Sequence, residues 1–506
     1  MNESPVLILG ATGYVGGRLA PRLLQAGHAV RALARNPAKL SCRPWASHAR
    51  MEVVKGDVMD LASLAKAARG CRAAFYLVHS MNPQTKDYAR ADRQAALNMA
   101  AAADAAGLER LIYLGGLAPD DPHISEHLRS RAEVGRILGM GRTPRTWLRA
   151  AMILGAGSAS FELMRYLVER LPVMITPRWV RTPCQPIAIA NVLGYLEGCL
   201  NTDAVLGQTL DIGGPEVLTY EALFRIFAEE AHLRRRLIVP VPLFSPRLSS
   251  YWAHLITPVP ASLARPLTEG LRNEVVVKDD RIRGMIPQDL ITCREAIRRA
   301  LQRIAQGRVD TCWMDAGGPP PPEWLYCADA PYAGGTVYKS ACRARLDLPP
   351  ERIWPALSRL GGSQGWYFQD WLWGLRGLGD RLLGGVGLGR GRRHPHELRV
   401  GDALDFWRVA EVTPGKRLLL VAEMKAPGEA VMEFILEPIS GQETEVRLVA
   451  SFLPRGLAGL AYWRALLPMH GWLFSGLLRG LSRSLGREPL GPVEAFDPDA
   501  SNVCRI

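Results

Sequence analysis

The strongest constraint on the fold is a glycine turn near the start of the chain, in the stretch VLILGATGYVGGRLAPRLLQAGH (6–28). Val6 to Leu9 is a short apolar run of strand-forming residues, and from Arg18 onward Leu recurs at helical spacing, so a strand must hand over to a helix within a few residues. Gly10, Gly13 and Gly16 occupy that handover as GxxGxxG. Gly10 permits the tight turn, Gly13 lets the backbone approach a pyrophosphate, and Gly16 allows the helix to press on the sheet. Thr12, Tyr14 and Val15 lie between them, placed to add backbone and side-chain contacts where helix N-terminal amides face an anion. Strand, glycine turn and helix in this order predict a nucleotide-binding unit.

That unit is the first of several. Further β-type runs at 29–34, 52–57, 73–79, 110–116 and 146–154 alternate with amphipathic helical segments, which is the pattern of a parallel, doubly wound α/β Rossmann sheet. The end of the second strand decides the dinucleotide. A site for NAD(H) places a carboxylate there to take the ribose 2′-hydroxyl, whereas this chain has Arg35-Asn36-Pro37-Ala38-Lys39. Arg35 offers a bidentate contact to a 2′-phosphate and Lys39 a second charge, so NADP(H) is the expected cofactor in preference to NAD(H).

The stretch AGGPPPP (316–322) can neither continue a helix nor pair in a sheet, and it separates two differently patterned regions. Residues 1–315 are assigned to the dinucleotide domain, 316–330 to a Gly/Pro-rich linker, 331–490 to a second domain and 491–506 to a tail. In the second domain, 336–348 alternates apolar and polar residues. Runs at 403–412, 417–425, 430–438 and 444–453 follow, separated by Pro-Gly and Ser-Gly turns, and a long apolar helix extends from about 456 to 485. The pattern predicts an α+β helix-grip layout, in which a curved antiparallel sheet around a helix encloses an apolar cavity. The glycine run 374–391 contains GLGRG but follows no strand, and it reads as a loop or lid rather than a second nucleotide site. Nine of the 13 Trp lie from Trp313 onward, enough aromatic area either to line a pocket for a hydrophobic ligand or to fill a small core.

On these residues the chain resembles two known families. GATGYVGG, Gly56-Asp57-Val58, YLVHS (76–80) and IYLGGL (112–117) resemble the atypical short-chain dehydrogenase/reductase superfamily, more narrowly its NmrA-like branch, over about residues 1–310. The resemblance implies that Asp57 and Val58 contact the adenine and that Leu77, Val78 and His79 line the cofactor ribose. It also implies a catalytic Ser at the end of the fifth strand and a Tyr-x-x-x-Lys on the next helix. This sequence has Gly115-Gly116 in the first place and, in SEHLRSRAEVG, His127 and Arg131 in the second. His127 could move a proton near neutral pH and Arg131 could hold the ribose, or the two belong to an ordinary exposed helix face. Where the family's extended members carry Asp-Val, this chain has Asn191. The words GWYFQDWLW (365–373), GGVGLGRGRR (384–393), GDALDFWRV (401–409) and RGLAGLAYW (455–463) resemble the DUF2867 family, assigned to the START/Bet v 1-like SRPBCC superfamily, over about 330–490.

Composition narrows the partners. At 48% hydrophobic and 22% charged residues, the 506-residue chain is neither disordered nor collagen-like. Its formal charge is +13, but only eight of the 62 basic residues are Lys, and the Arg are interspersed with acids, so no nucleic-acid partner is expected. Nine scattered Cys include no CxxC pair and no Cys/His cluster at zinc spacing, which predicts no metal and a reduced, cytoplasmic setting. The first residues lack a basic n-region, so no signal peptide is expected. Residues 456–478 are long enough to span a bilayer, yet Arg464, Pro468 and His470 interrupt them; a packed helix is expected, with contact to a membrane surface left open. The function expected is that of an NADP(H)-dependent oxidoreductase without the usual Ser/Tyr/Lys set. It would reduce a hydrophobic quinone- or carbonyl-type substrate held with the help of the second domain. The alternatives are a non-catalytic NADP(H) redox sensor or scaffold, and a peripheral membrane lipid-binding or respiratory accessory protein.

Overall fold

Seven runs of the N-terminal region pair in one parallel sheet: β1 (Val6–Leu9), β2 (Val30–Ala34), β3 (Met51–Lys55), β4 (Ala73–Tyr76), β5 (Arg110–Gly116), β6 (Arg145–Ala150) and β11 (Thr209–Ile212). Between β6 and β11 lie the short strands β7 (Ile153–Leu154), β8 (Val173–Pro177), β9 (Pro183–Cys184) and β10 (Ile187–Ala188); β12 (Leu218–Thr219) and β13 (Leu237–Val241) follow. The structure, a computed structural model, describes residues 4–78, 88–117, 124–241, 269–316 and 336–498, together with 256, 257, 259, 265, 322 and 324. The helices of this region are α1 (Gly16–Gln25), α2 (Ala38–Ser41), α3 (Leu61–Ala68), α4 (Tyr88–Ala106), α5 (Glu126–Leu138), α6 (Ala159–Arg170), α7 (Ile189–Gly198) and α8 (Tyr220–Glu230), with two more at Ile282–Met285 and Cys293–Ala305.

The sheet order is β11-β6-β5-β4-β1-β2-β3. β1 is apolar at every position because both its faces are covered: Val6 and Ile8 join one buried cluster, Leu7 and Leu9 the other. α3, α5, α6 and α8 begin on Asp60, Ser125, Ser158 and Thr219, whose side chains accept a hydrogen bond from the first turn. α1 begins on Val15 with no side-chain cap.

The chain divides into two compact units, Met1–Gly317 and Gly318–Ile506. The second is built on an antiparallel sheet of β14 (Tyr338–Leu346), β15 (Ala403–Leu404), β16 (Trp407–Thr413), β17 (Arg417–Ala422), β18 (Gly428–Pro438), β19 (Thr444–Pro454) and β20 (Glu494–Ala495), in the order β15-β16-β17-β18-β19-β14-β20. Its helices are Pro350–Leu357, Asp370–Leu382 and the long Gly456–Ser484. Alternate strand residues, among them Leu418, Leu420, Phe434 and Leu448, pack with Phe474, Leu477 and Leu481 of the long helix. The intervening Leu419, Val421 and Val431 are buried on the other face, against Trp324, whose indole donates to Glu429 at 3.0 Å. A residue expected in the linker is thus anchored to the sheet, and residues expected in the tail form β20 on β14.

The glycine run is a correction. Residues 370–382 are helical rather than a loop, despite Gly374, Gly377 and Gly379, and a 3-10 turn follows at Gly387–Arg390. Tertiary packing outweighs glycine's low helix propensity here: Gly377 lets Leu388 come so close that a Cβ would lie 2.7 Å from it. Among the described residues no helix is long and apolar enough to cross a membrane.

Candidate functional site

β1 has β2 on one side and β4 on the other, so the strand order reverses at β1 and opens a crevice beyond the carboxyl ends of β1 and β4. The glycine turn lies there. Gly10 has φ +90°, and a Cβ on it would sit 2.7 Å from the Leu77 carbonyl oxygen at the end of β4. The Gly13 amide donates to Gly10 O at 2.9 Å and closes the turn. A Cβ on Gly16 would run into Gly10 O. The cradle is therefore one that side chains would fill, and the uncapped α1 amides above it suit a pyrophosphate. These features fit a dinucleotide.

Thr12 and Val15 flank the turn, half-buried. Tyr14 differs from the expectation of a side-chain contact: its phenol oxygen is sealed against Gly155 without a hydrogen-bond partner among the described residues. Burial pushes its pKa up, and the Arg18 guanidinium lies 4.8 Å from its ring centre. Only the Tyr14 backbone remains for a phosphate.

Residues missed by sequence reasoning hold this end together. Thr311 Oγ1 accepts from Arg18 Nε and donates to the Tyr14 carbonyl, both at 2.9 Å, while Arg18 Nη2 donates to Ala156 O at 2.8 Å. Arg43 pairs with Asp315 at 2.9 Å, both side chains less than a tenth exposed, and also donates to Asp310 O. Segment 310–316 thus straps the start of α1 and the residues after α2, a link across nearly 300 residues that has no local sequence signal.

The two cations after β2 take different places. Arg35 is exposed and forms no ion pair with a described residue, leaving its guanidinium available. Lys39 is half-buried, with Nζ 3.5 Å from Asp315 O. The Asp315 carboxylate is occupied by Arg43 and the Cys312 amide. Beyond β3, Asp57 Oδ1 accepts from the Met59 amide at 3.0 Å, and Val58 packs on the core while its carbonyl accepts from Asn98 at 2.9 Å. Leu77 and Val78 pack on opposite sides of the sheet, and His79 lies outside the described residues.

At the reaction end a side chain is barred from Gly115, while a Cβ on Gly116 would meet Leu128 Cδ2 at 3.1 Å. A Cβ on Gly115 would collide with the Trp147 indole nitrogen, and one on Gly135 would lie 2.6 Å from the same ring. Trp147 fills the space between β5 and α5, tilted against Tyr113 with ring centres 6.0 Å apart and covered by Arg145. The exposed-face expectation for His127 and Arg131 is corrected too, because both turn inward. Arg131 Nη2 donates to Leu114 O at 2.8 Å, and the Tyr113 hydroxyl donates to Arg131 O at 3.1 Å. Burial first, and then the neighbouring Arg131 charge, hold the His127 pKa down at about 3. An imidazole neutral at that depth does not act as a proton donor near neutral pH.

The Asn191 departure has a direct reason. Its amide donates to Gln288 Oε1 at 3.1 Å and Asp289 O at 2.8 Å, and its oxygen accepts from the Ile291 amide at 3.0 Å. A carboxylate in that place would lose both donors.

Comparison with known proteins agrees with this geometry. Residues 10–150 match the family model described as NAD(P)H-binding, and residues 332–477 match that of a protein of unknown function, DUF2867. The (4-alkanoyl-5-oxo-2,5-dihydrofuran-3-yl)methyl phosphate reductase of Streptomyces griseus is 32% identical over 222 residues, covering 42% of this chain and 69% of that protein. The chain belongs to the NAD(P)H-binding Rossmann family. Another family relative, the chloroplastic divinyl chlorophyllide a 8-vinyl-reductase of Oryza sativa, is 27% identical over 247 residues, or 45% of this chain and 60% of the relative. A nucleoside-diphosphate-sugar epimerase from Staphylococcus aureus superposes with a TM-score of 0.48 at 14% identity, covering 58% of this chain and 99% of the epimerase. The homologues of this family member are NAD(P)-dependent reductases and related enzymes of the short-chain dehydrogenase/reductase superfamily.

Proposed function

We propose that this protein is an NADP(H)-dependent reductase of an apolar conjugated acceptor, of the quinone or α,β-unsaturated carbonyl type. The observation that carries the reading is Trp147 packed where a side chain at Gly115 would lie, together with a buried His127 held neutral. Neither Gly115-Gly116 nor α5 presents a proton donor for an alkoxide. The acceptor best served by such a site is one whose reduction needs no alkoxide protonated by the enzyme. When bound, the dinucleotide supplies a hydride; the proton that completes the two-electron reduction would come from water.

In this reading Gly10, Thr12, Gly13, Val15 and Gly16 present backbone to the pyrophosphate, with Tyr14 contributing backbone only. Arg35 takes the 2′-phosphate and Lys39 adds charge beside it. Asp57 and Val58 bound the adenine; Leu77 and Val78 bound the ribose, and Arg131 stays a positioning residue on the Leu114 carbonyl. Two relatives are named for unsaturated groups, one for a 5-oxo-2,5-dihydrofuran and another for a vinyl group, alongside dihydroflavonol 4-reductases. The second domain would hold an acceptor-bearing apolar ligand. Trp366, Trp373, Phe406 and Trp407 form its aromatic interior, where the Trp373 and Trp407 indole N–H groups are buried donors without an acceptor among the described residues.

The same missing Ser favours a second reading, a sensor that binds NADP(H) without turnover. Loss of reduced-nicotinamide absorbance with a panel of quinones and enones supports the reductase. Tight NADPH binding with no oxidation by any of them supports the sensor.

A further inference from the structure

The helix Asp370–Leu382 buries Trp373 in the core but turns a second apolar stripe outward. A helix on a soluble surface turns its polar side outward, but here Trp371, Leu375, Leu378 and Leu382, at i, i+4, i+7 and i+11, are each more than half exposed, and Leu383 continues the stripe. Asp380 and Arg376 turn inward. Asp380 is fully buried and accepts from the amides of Gly387 at 2.8 Å and Lys425 at 2.6 Å. Arg376 reaches the Tyr462 hydroxyl at 3.3 Å and the Lys425 carbonyl at 3.2 Å. The stripe is about 16 Å long at the helical rise per residue.

A second helix extends this surface. Phe368 meets Trp472 edge to face at 5.0 Å, and Arg376 meets Tyr462, so Asp370–Leu382 runs antiparallel beside the first half of Gly456–Ser484. Between 457 and 472 that helix exposes Leu457, Leu467, Pro468 and Trp472, while Leu473, Phe474, Leu477 and Leu481 beyond them are core. Side chains added at Gly374, Gly379 and Gly471 would meet nothing, which leaves the outer surface flat.

Charge selects the occupant. Gly456–Ser484 contains Arg464, Arg479 and Arg483, all exposed, and no acid; in Asp370–Leu382 Arg376 lies 4.0 Å from the buried Asp380 carboxylate, and the other acid, Asp370, is exposed. An apolar surface set among Arg, with a Trp on each helix, has the chemistry of an in-plane membrane anchor. A second copy would bring the same Arg face to face with these.

We propose that the two helices form a platform that docks on an anionic phospholipid bilayer, lying in its surface rather than crossing it. The proposal is independent of the reductase reading. Flotation of the full chain tests it, with phosphatidylcholine vesicles against vesicles enriched in phosphatidylglycerol, for wild type and the double variant Leu375→Glu/Leu382→Glu. Because both leucines are exposed, the variant should keep the wild-type melting temperature and NADPH affinity. Co-flotation with the anionic vesicles is expected, weakened by salt and reduced about tenfold or more in the variant, as loss of buried Leu area requires. No flotation by the wild type, or flotation unchanged in the variant, would overturn the proposal. So would a wild-type dimer that the substitutions split while neither form floats, because the platform would then belong to a second copy.

Discussion

The two ends of the dinucleotide crevice are built on opposite principles. At the glycine turn, backbone does the work: Gly10, Gly13 and Gly16 are close in sequence, and Gly10 and Gly16 are needed because a Cβ on either would strike neighbouring backbone, Gly10 also holding a positive φ. At the reaction end, side chains from distant strands and a helix decide what is possible, and a single Trp147 bars a side chain from Gly115 on β5. Local backbone requirements write themselves into neighbouring residues, whereas a space filled from another strand leaves only an unexplained Gly-Gly.

The largest effect that would sharpen this contrast is at the strap, which joins both kinds of construction. Arg43→Met should cost about 3–5 kcal/mol of stability by leaving Asp315 buried without its cation, read as a lower urea midpoint at unchanged slope. Gly10→Val should cost about 1–3 kcal/mol in backbone strain. It should also abolish NADPH binding by titration, because its side chain projects onto the Leu77 carbonyl. Arg35→Ala should weaken NADPH by about 1.5–3 kcal/mol, roughly tenfold to hundredfold, and leave NADH unchanged; an unchanged ratio of the two cofactors would remove the 2′-phosphate assignment.

The effect that is smallest at each pH step concerns His127. Its folded pKa of about 3 lies below the ordinary 6.5, so the unfolded chain binds more protons between these values and stability falls as pH drops through that window. The slope is at most about 1.4 kcal/mol per pH unit, and His127→Phe should flatten it in acid melting curves. Above the window the substitution should leave the pH dependence of any NADPH oxidation unaltered.

Much of the fold was legible because its signals are local. Six parallel strands, the meander and the long C-terminal helix follow from apolar periodicity and turn residues. The helix at 370–382 was not legible, since its glycines read as a loop and four of its six large apolar residues face outward, with Trp373 alone buried in the core. The cofactor turn was legible down to individual glycines, yet Tyr14 turned its side chain away and the Thr311, Asp310 and Asp315 strap came from the far end of the domain. His127 and Arg131 have helical spacing, and spacing alone does not say which face is buried.

The central claim is that hydride leaves this site for a conjugated acceptor without an enzyme group titrating near neutrality. Its most direct test is single-turnover oxidation of bound NADPH, deuterated at the transferred position, by a quinone or enone across the neutral pH range. The account predicts oxidation with a primary isotope effect and a rate independent of pH. Bound NADPH that no acceptor oxidises, or a rate that follows a group titrating near neutral pH, would contradict it.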